Sequence, residues 1–122
     1  MEDRAHPICY ALTVARAIRE MSNDAIHDGQ MPPVMTSVMV RTAAEATLSL
    51  SLFAAARQHA LPPRAASAIE SAKTDLETLM QLAELVRYCG EAPQNATHVA
   101  RAIRDIAELA ANHLKQASDS LS

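Results

Sequence analysis

Every proline and glycine in this 122-residue sequence falls at a segment border. Asp28-Gly29-Gln30-Met31-Pro32-Pro33, Leu61-Pro62-Pro63 and Cys89-Gly90-Glu91-Ala92-Pro93 divide the chain into four stretches, and Pro7 opens the first of them. Proline is well tolerated at the first position of a helix, where its missing N–H has no intrahelical partner in any case. Glycine closes helices by taking the left-handed conformation just past the last turn. The three junctions follow that grammar, so the spacing predicts four helices, at about 7–27, 33–60, 63–89 and 96–118. Asn95 or Thr97 is the expected N-cap of the last one.

The composition between the breaks supports helix over sheet. The apolar residues are chiefly Ala, Leu, Val, Ile and Met, and the only aromatics are Tyr10, Phe53 and Tyr88. Sheets draw on β-branched and aromatic strands with many glycine turns, whereas alanine is the strongest helix former. Helices of 20–27 residues are about 30–40 Å long, and short connections make sequential neighbours antiparallel. The expected fold is therefore all-α, a single up-down-up-down four-helix bundle.

Three of the helices are amphipathic. Ala11, Val14, Ile18, Met21 and Ala25 recur at 3–4 spacing in the first. Ala65, Ile69, Ala72, Leu76, Leu79, Ala83 and Val86 do so in the third, and Val99, Ile103, Ile106 and Ala110 in the fourth. Arg16/Glu20, Arg101/Asp105 and Arg104/Glu108 stand one turn apart on the polar sides, where they can pair. Segment 14–20 (VARAIRE) echoes 99–105 (VARAIRD). The echo suggests either a shared arginine-bearing face or two amphipathic helices drawn from the same vocabulary.

The second helix is different. No residue from Ala46 to Ala56 is charged, and Leu48 and Leu52 continue the face that carries Arg41 and Glu45. Residues 47–52 (TLSLSL) also alternate with period two, but alanine-rich helical sequence flanks them, so helix is expected. A helix that is apolar on all sides must be covered on all sides. This is the main functional lead: Met35, Met39, Leu48, Leu52 and Phe53 are candidate contacts for a protein partner or for a second copy, most simply a homodimer. Met31, Met35 and Met39, at i, i+4 and i+8, suit an adaptable binding surface or ordinary core filling.

Chemistry-bearing motifs are weak by comparison. With two glycines there is no phosphate-binding loop, dinucleotide fingerprint or nucleophile elbow. No cofactor is implied, and no enzyme activity is expected. Of the five histidines, no pair has H-x-x-x-H spacing. His27, Cys89 and His98 could gather at one end of the bundle, and they form the best metal candidate. Cys9 and Cys89 would sit at opposite ends, too far apart for a disulfide. His98 and Arg101 have the spacing of an exposed phosphate-accepting histidine and its cation, as in histidine phosphotransfer bundles, although such a histidine does not usually lie in the last helix. His113 leans toward the core, where it would donate to a backbone carbonyl or to water. The net charge of −3 offers no general attraction to nucleic acid or anionic membranes. The charge-free stretch from Ala46 to Ala56, 11 residues, is short for a membrane span, and Arg41 and Glu45 interrupt the longer apolar span from Met31 to Ala56; no secretory leader is read at the N-terminus. A cytoplasmic interaction protein (an adaptor, accessory factor or inhibitor) is the resulting expectation.

Overall fold

The computed structural model describes residues 6–89 and 93–121. They form four helices, α1 (Pro7–Asp28), α2 (Pro33–Ala56), α3 (Pro63–Cys89) and α4 (Pro93–Leu121), with no strand among the described residues. The four pack as a ring in chain order, with α4 closing against α1. Consecutive helices run in opposite directions. His6, at the start of α1, lies against Phe53 near the end of α2, their ring centroids 5.1 Å apart. Val40, early in α2, shares a shallow groove with Met80 and Glu84, late in α3. Arg64, early in α3, shares another with Asp119, late in α4.

Each border has a local cause. His6 caps α1, its Nδ1 accepting from the Ile8 N–H at 3.2 Å, with Pro7 at the first helical position. The helix ends at Gly29, φ 75°, whose N–H donates to the Ala25 carbonyl at 2.8 Å; Gln30 N–H reaches the same carbonyl. That left-handed turn is why glycine stands there. Three borders differ from expectation, the last being the end of α4, which runs on to Leu121 rather than 118. α2 ends at Ala56 rather than continuing to Ala60. Arg57 leaves helical geometry at φ −118°, and the next residues close a turn in which Ala60 and Leu61 N–H groups donate to the Arg57 carbonyl. The chain must be out of the helix before Pro62-Pro63, because a proline disfavours helical backbone in the residue ahead of it. α4 starts at Pro93, so Asn95 and Thr97 lie inside the helix instead of capping it. Proline at the first position is the start signal that prevails.

The core is a seam of alanine between larger side chains. Ile8, Ile18, Met39, Leu50, Ile69, Leu76, Leu79, Ile103 and Leu114 are fully buried. Ala11, Ala15, Ala43, Ala46, Ala72, Ala83, Ala100, Ala107 and Ala110 are buried beside them. Small residues let helix axes approach closely, so dispersion contacts extend along the seams. Two polar residues, Ser22 and Thr36, are buried as well. Both turn their hydroxyls back onto their own helix, Ser22 Oγ donating to Ile18 O at 2.8 Å and Thr36 Oγ1 to Pro33 O at 2.9 Å. Their hydrogen-bonding need is met without a partner helix, which is how they enter an apolar core.

The echo between α1 and α4 is explained by packing. Ala15 and Ala100, and Ile18 and Ile103, are buried at matching positions, while Arg16 and Arg101 are exposed. The expected one-turn ion pairs give way to adjacent ones, Arg19–Glu20 at 3.6 Å and Arg104–Asp105 at 3.2 Å. Two helices that must present alanine and isoleucine inward and arginine outward use nearly the same heptapeptide, which differs at Glu20 and Asp105.

Candidate interaction surface

The bundle fixes which side of α2 faces inward. Thr36, Met39, Ala43, Ala46, Leu50 and Phe53 are buried. Val34, Val38, Arg41, Glu45, Leu48 and Leu52 line the opposite side and are exposed. The four apolar members stand well out of the protein, Val34 at 70%, Val38 at 40%, Leu48 at 61% and Leu52 at 63% exposure. Of the five sequence-predicted contacts, Leu48 and Leu52 are on this outer face. Met39 and Phe53 are not: they are core residues, 0% and 7% exposed. Met35 is half-buried at the margin and packs against the core, and Met31 is buried. The methionine series is thus core filling. Val34 and Val38 complete the outer stripe and were missing from the sequence-predicted contacts, although their 3–4 spacing to Arg41 and Glu45 was a usable signal.

Besides Thr36, two threonines of α2 are engaged with their own helix. Thr42 Oγ1 donates to Val38 O at 2.8 Å and Thr47 Oγ1 to Ala43 O at 2.8 Å, so these hydroxyls turn onto the helix backbone. Glu45 is held from α1: Tyr10 Oη donates to its Oε1 at 3.0 Å. Burial of the Tyr10 ring raises its hydroxyl above the ordinary value of 10.0, and the hydrogen bond and negative charge of Glu45 push the same way. Arg41 is exposed and makes no ion pair among the described residues. At the end of the helix the Arg57 guanidinium lies over the Phe53 ring, 4.7 Å from its centroid.

Two further properties set α2 apart. It makes the sparsest contact with its neighbours, whereas α4 is packed extensively on both sides. It is also the one described helix whose length and composition would suffice to cross a membrane, with a mean hydropathy of 1.2 over its most apolar 18 residues. The sequence expectation set the longer apolar span aside because Arg41 and Glu45 interrupt it. The whole helix of 24 residues meets the length requirement despite Arg41 and Glu45. Its buried side nonetheless belongs to the bundle core.

The other candidates are more dispersed. His98 and Arg101 are both exposed on α4, one turn apart, and His98 lies in the second turn because the helix begins earlier than expected. His27 is exposed in the last turn of α1, and the Cys89 side chain lies outside the described residues. Among the described residues no three metal-binding side chains converge. Cys9 is a free, exposed thiol. His113 does not bond a backbone carbonyl. Its Nδ1 pairs with Asp75 Oδ2 of α3 at 2.9 Å, in a shallow depression lined also by Glu70, Ser71 and Thr74. No family model, curated protein or solved structure matches this chain.

Proposed function

We propose that this chain is a small, non-enzymatic interaction protein that docks another protein onto the outer face of α2. The observation that carries the reading is the line of Val34, Val38, Leu48 and Leu52 standing exposed on the helix least enclosed by the bundle. Scattered surface leucines need no explanation, but two aliphatic pairs on one side of a helix, flanking Arg41 and Glu45, mark a place where another surface belongs. The outer faces of α1, α3 and α4 are mainly polar, with Leu85, Tyr88 and Leu109 as exposed exceptions; the outer stripe of α2 holds two charged and four aliphatic side chains. An adaptor, accessory factor or inhibitor operating in the cytoplasm suits a surface of this kind, because docking needs no cofactor and no reacting group.

The double variant L48E/L52E tests the reading. Both positions are exposed, so circular dichroism and thermal unfolding are expected to stay close to wild type. Chemical cross-linking in host cells should show complexes with the wild-type chain that the variant loses. A variant that folds normally and keeps every cross-linked species would refute docking through α2.

A further inference from the structure

We infer that the occupant of this face is a second copy of the same chain, lying antiparallel along α2 about a twofold axis at the level of Ala43. The inference rests on the interaction reading above and specifies the partner and its register. Val34, Val38, Arg41, Glu45, Leu48 and Leu52 are spaced 4, 3, 4, 3 and 4 residues apart. That is the a/d repeat of a two-helix seam, here turned outward. The stripe reads the same in chemical type from either end. Paired about position 43, Val34 falls opposite Leu52, Val38 opposite Leu48, and Arg41 opposite Glu45. A twofold interface requires this self-complementarity, since each patch must fit itself after rotation. The antiparallel seam unites aliphatic with aliphatic and cation with anion, twice over. A parallel seam in the same register would set Arg41 against Arg41 and Glu45 against Glu45.

The surroundings of the charged pair agree with this arrangement. Glu45 offers one oxygen to Tyr10, which holds the carboxylate and leaves the other oxygen for an incoming guanidinium. Arg41 is exposed and engages no carboxylate among the described residues, so it is available to bridge. The threonine hydroxyls that could have disturbed an apolar contact are turned onto the backbone. A lipid surface would account for the four aliphatic residues but not for Arg41 and Glu45 in the middle of the stripe, because ionised side chains deep in hydrocarbon are costly. From Val34 to Leu52 the seam is about 27 Å long. Its area is toward the small end of specific interfaces, so dissociation in the micromolar range is expected.

The test is the solution mass of the full chain from micromolar to hundreds of micromolar, by sedimentation equilibrium, for wild type, R41E, E45R and the exchange variant R41E/E45R. The expected result is a dimer for wild type, roughly 100-fold or weaker association for each single reversal, and restored association for the exchange. Circular dichroism should show all four equally helical, since both positions are exposed. A monomeric wild type at the highest concentration would overturn the proposal, as would a dimer indifferent to either single reversal or an exchange variant that stays monomeric. Binding of a monomeric wild type to phosphatidylcholine–phosphatidylglycerol vesicles would overturn it in favour of a membrane occupant. The L48E/L52E cross-linking separates the two levels. If wild type is monomeric yet L48E/L52E still loses its complexes, the second copy is the wrong occupant and the docking face stands. If L48E/L52E loses nothing, both readings fall.

Discussion

His113–Asp75 and Tyr10–Glu45 are side-chain hydrogen bonds between neighbouring helices, and each supports a quantitative expectation. His113 and Asp75 join α4 to α3 at 2.9 Å, with side chains 30% and 18% exposed. The carboxylate is an acceptor, so the bond forms whether the imidazole is neutral, donating from Nδ1, or protonated. Such a half-buried bond is worth about 1 kcal/mol. A double-mutant cycle with Asp75→Ala and His113→Ala, read by urea unfolding, should return a coupling near that value; additivity within about 0.3 kcal/mol would show that the contact contributes nothing. Tyr10 and Glu45 join α1 to α2. Because folding raises the Tyr10 hydroxyl above 10.0, the native state holds that proton more tightly than the unfolded chain does. The associated stability is fully present below pH 10 and is lost as pH rises through the folded value. Stability of Tyr10→Phe should therefore fall less steeply than wild type between about pH 9 and 11. Equal slopes would remove the hydrogen bond as a contributor. Neither pair was legible in the sequence, since both depend on the stagger between two helices, which no single helix encodes.

The elements divide according to how much phase information their sequences hold. α1, α3 and α4 alternate apolar and polar residues at helical period, so their inner faces could be read directly. Prolines marked the starts of α1, α2 and α3; α4 was misplaced because Asn95 and Thr97 resembled caps more than Pro93 resembled a first residue. α2 has apolar side chains on every side, so only the phase of Arg41 and Glu45 separates its inside from its outside. Leu48 and Leu52 were identified because they continue from Arg41 and Glu45, whereas Met39 and Phe53 were misassigned for want of that reference. What fixes the rotation is size. Ala43 and Ala46 allow close approach of the neighbouring helices, and Met39, Leu50 and Phe53 fill the space beside them. Substitution of two leucines two residues apart reports this phase. Leu50→Ala should cost about 2–5 kcal/mol, because it opens a cavity at a fully buried position. In dilute protein Leu48→Ala should stay within about 0.5 kcal/mol of wild type. Similar losses at both positions would mean that α2 is rotated relative to this description.

At the level of the whole molecule, the bundle is unevenly built. α4 is clasped by α1 and α3, and its inner residues from Ala100 to Ala117 are buried in register. α2 contributes Met39, Leu50 and Phe53 to the core but is held less extensively and ends in a turn without a glycine cap. Local opening follows such differences, because segments with fewer packed contacts separate from the core at lower free energy than the whole fold requires. Native-state hydrogen exchange on dilute R41E, whose self-association is weakened under the proposal above, should therefore show the central amides of α2 exchanging faster than those of α4. Equal protection in the two helices would show that the bundle opens only as a unit. Wild type at rising concentration adds a second expectation. If α2 must leave its copy before it opens, and global unfolding must also part the dimer, the free energies of both openings rise by the same increment. Protection should increase in α2 and α4 together, with the difference between them preserved. A rise confined to α2 would mean that α4 exchanges without dissociation, so that the seam and the bundle are not thermodynamically linked.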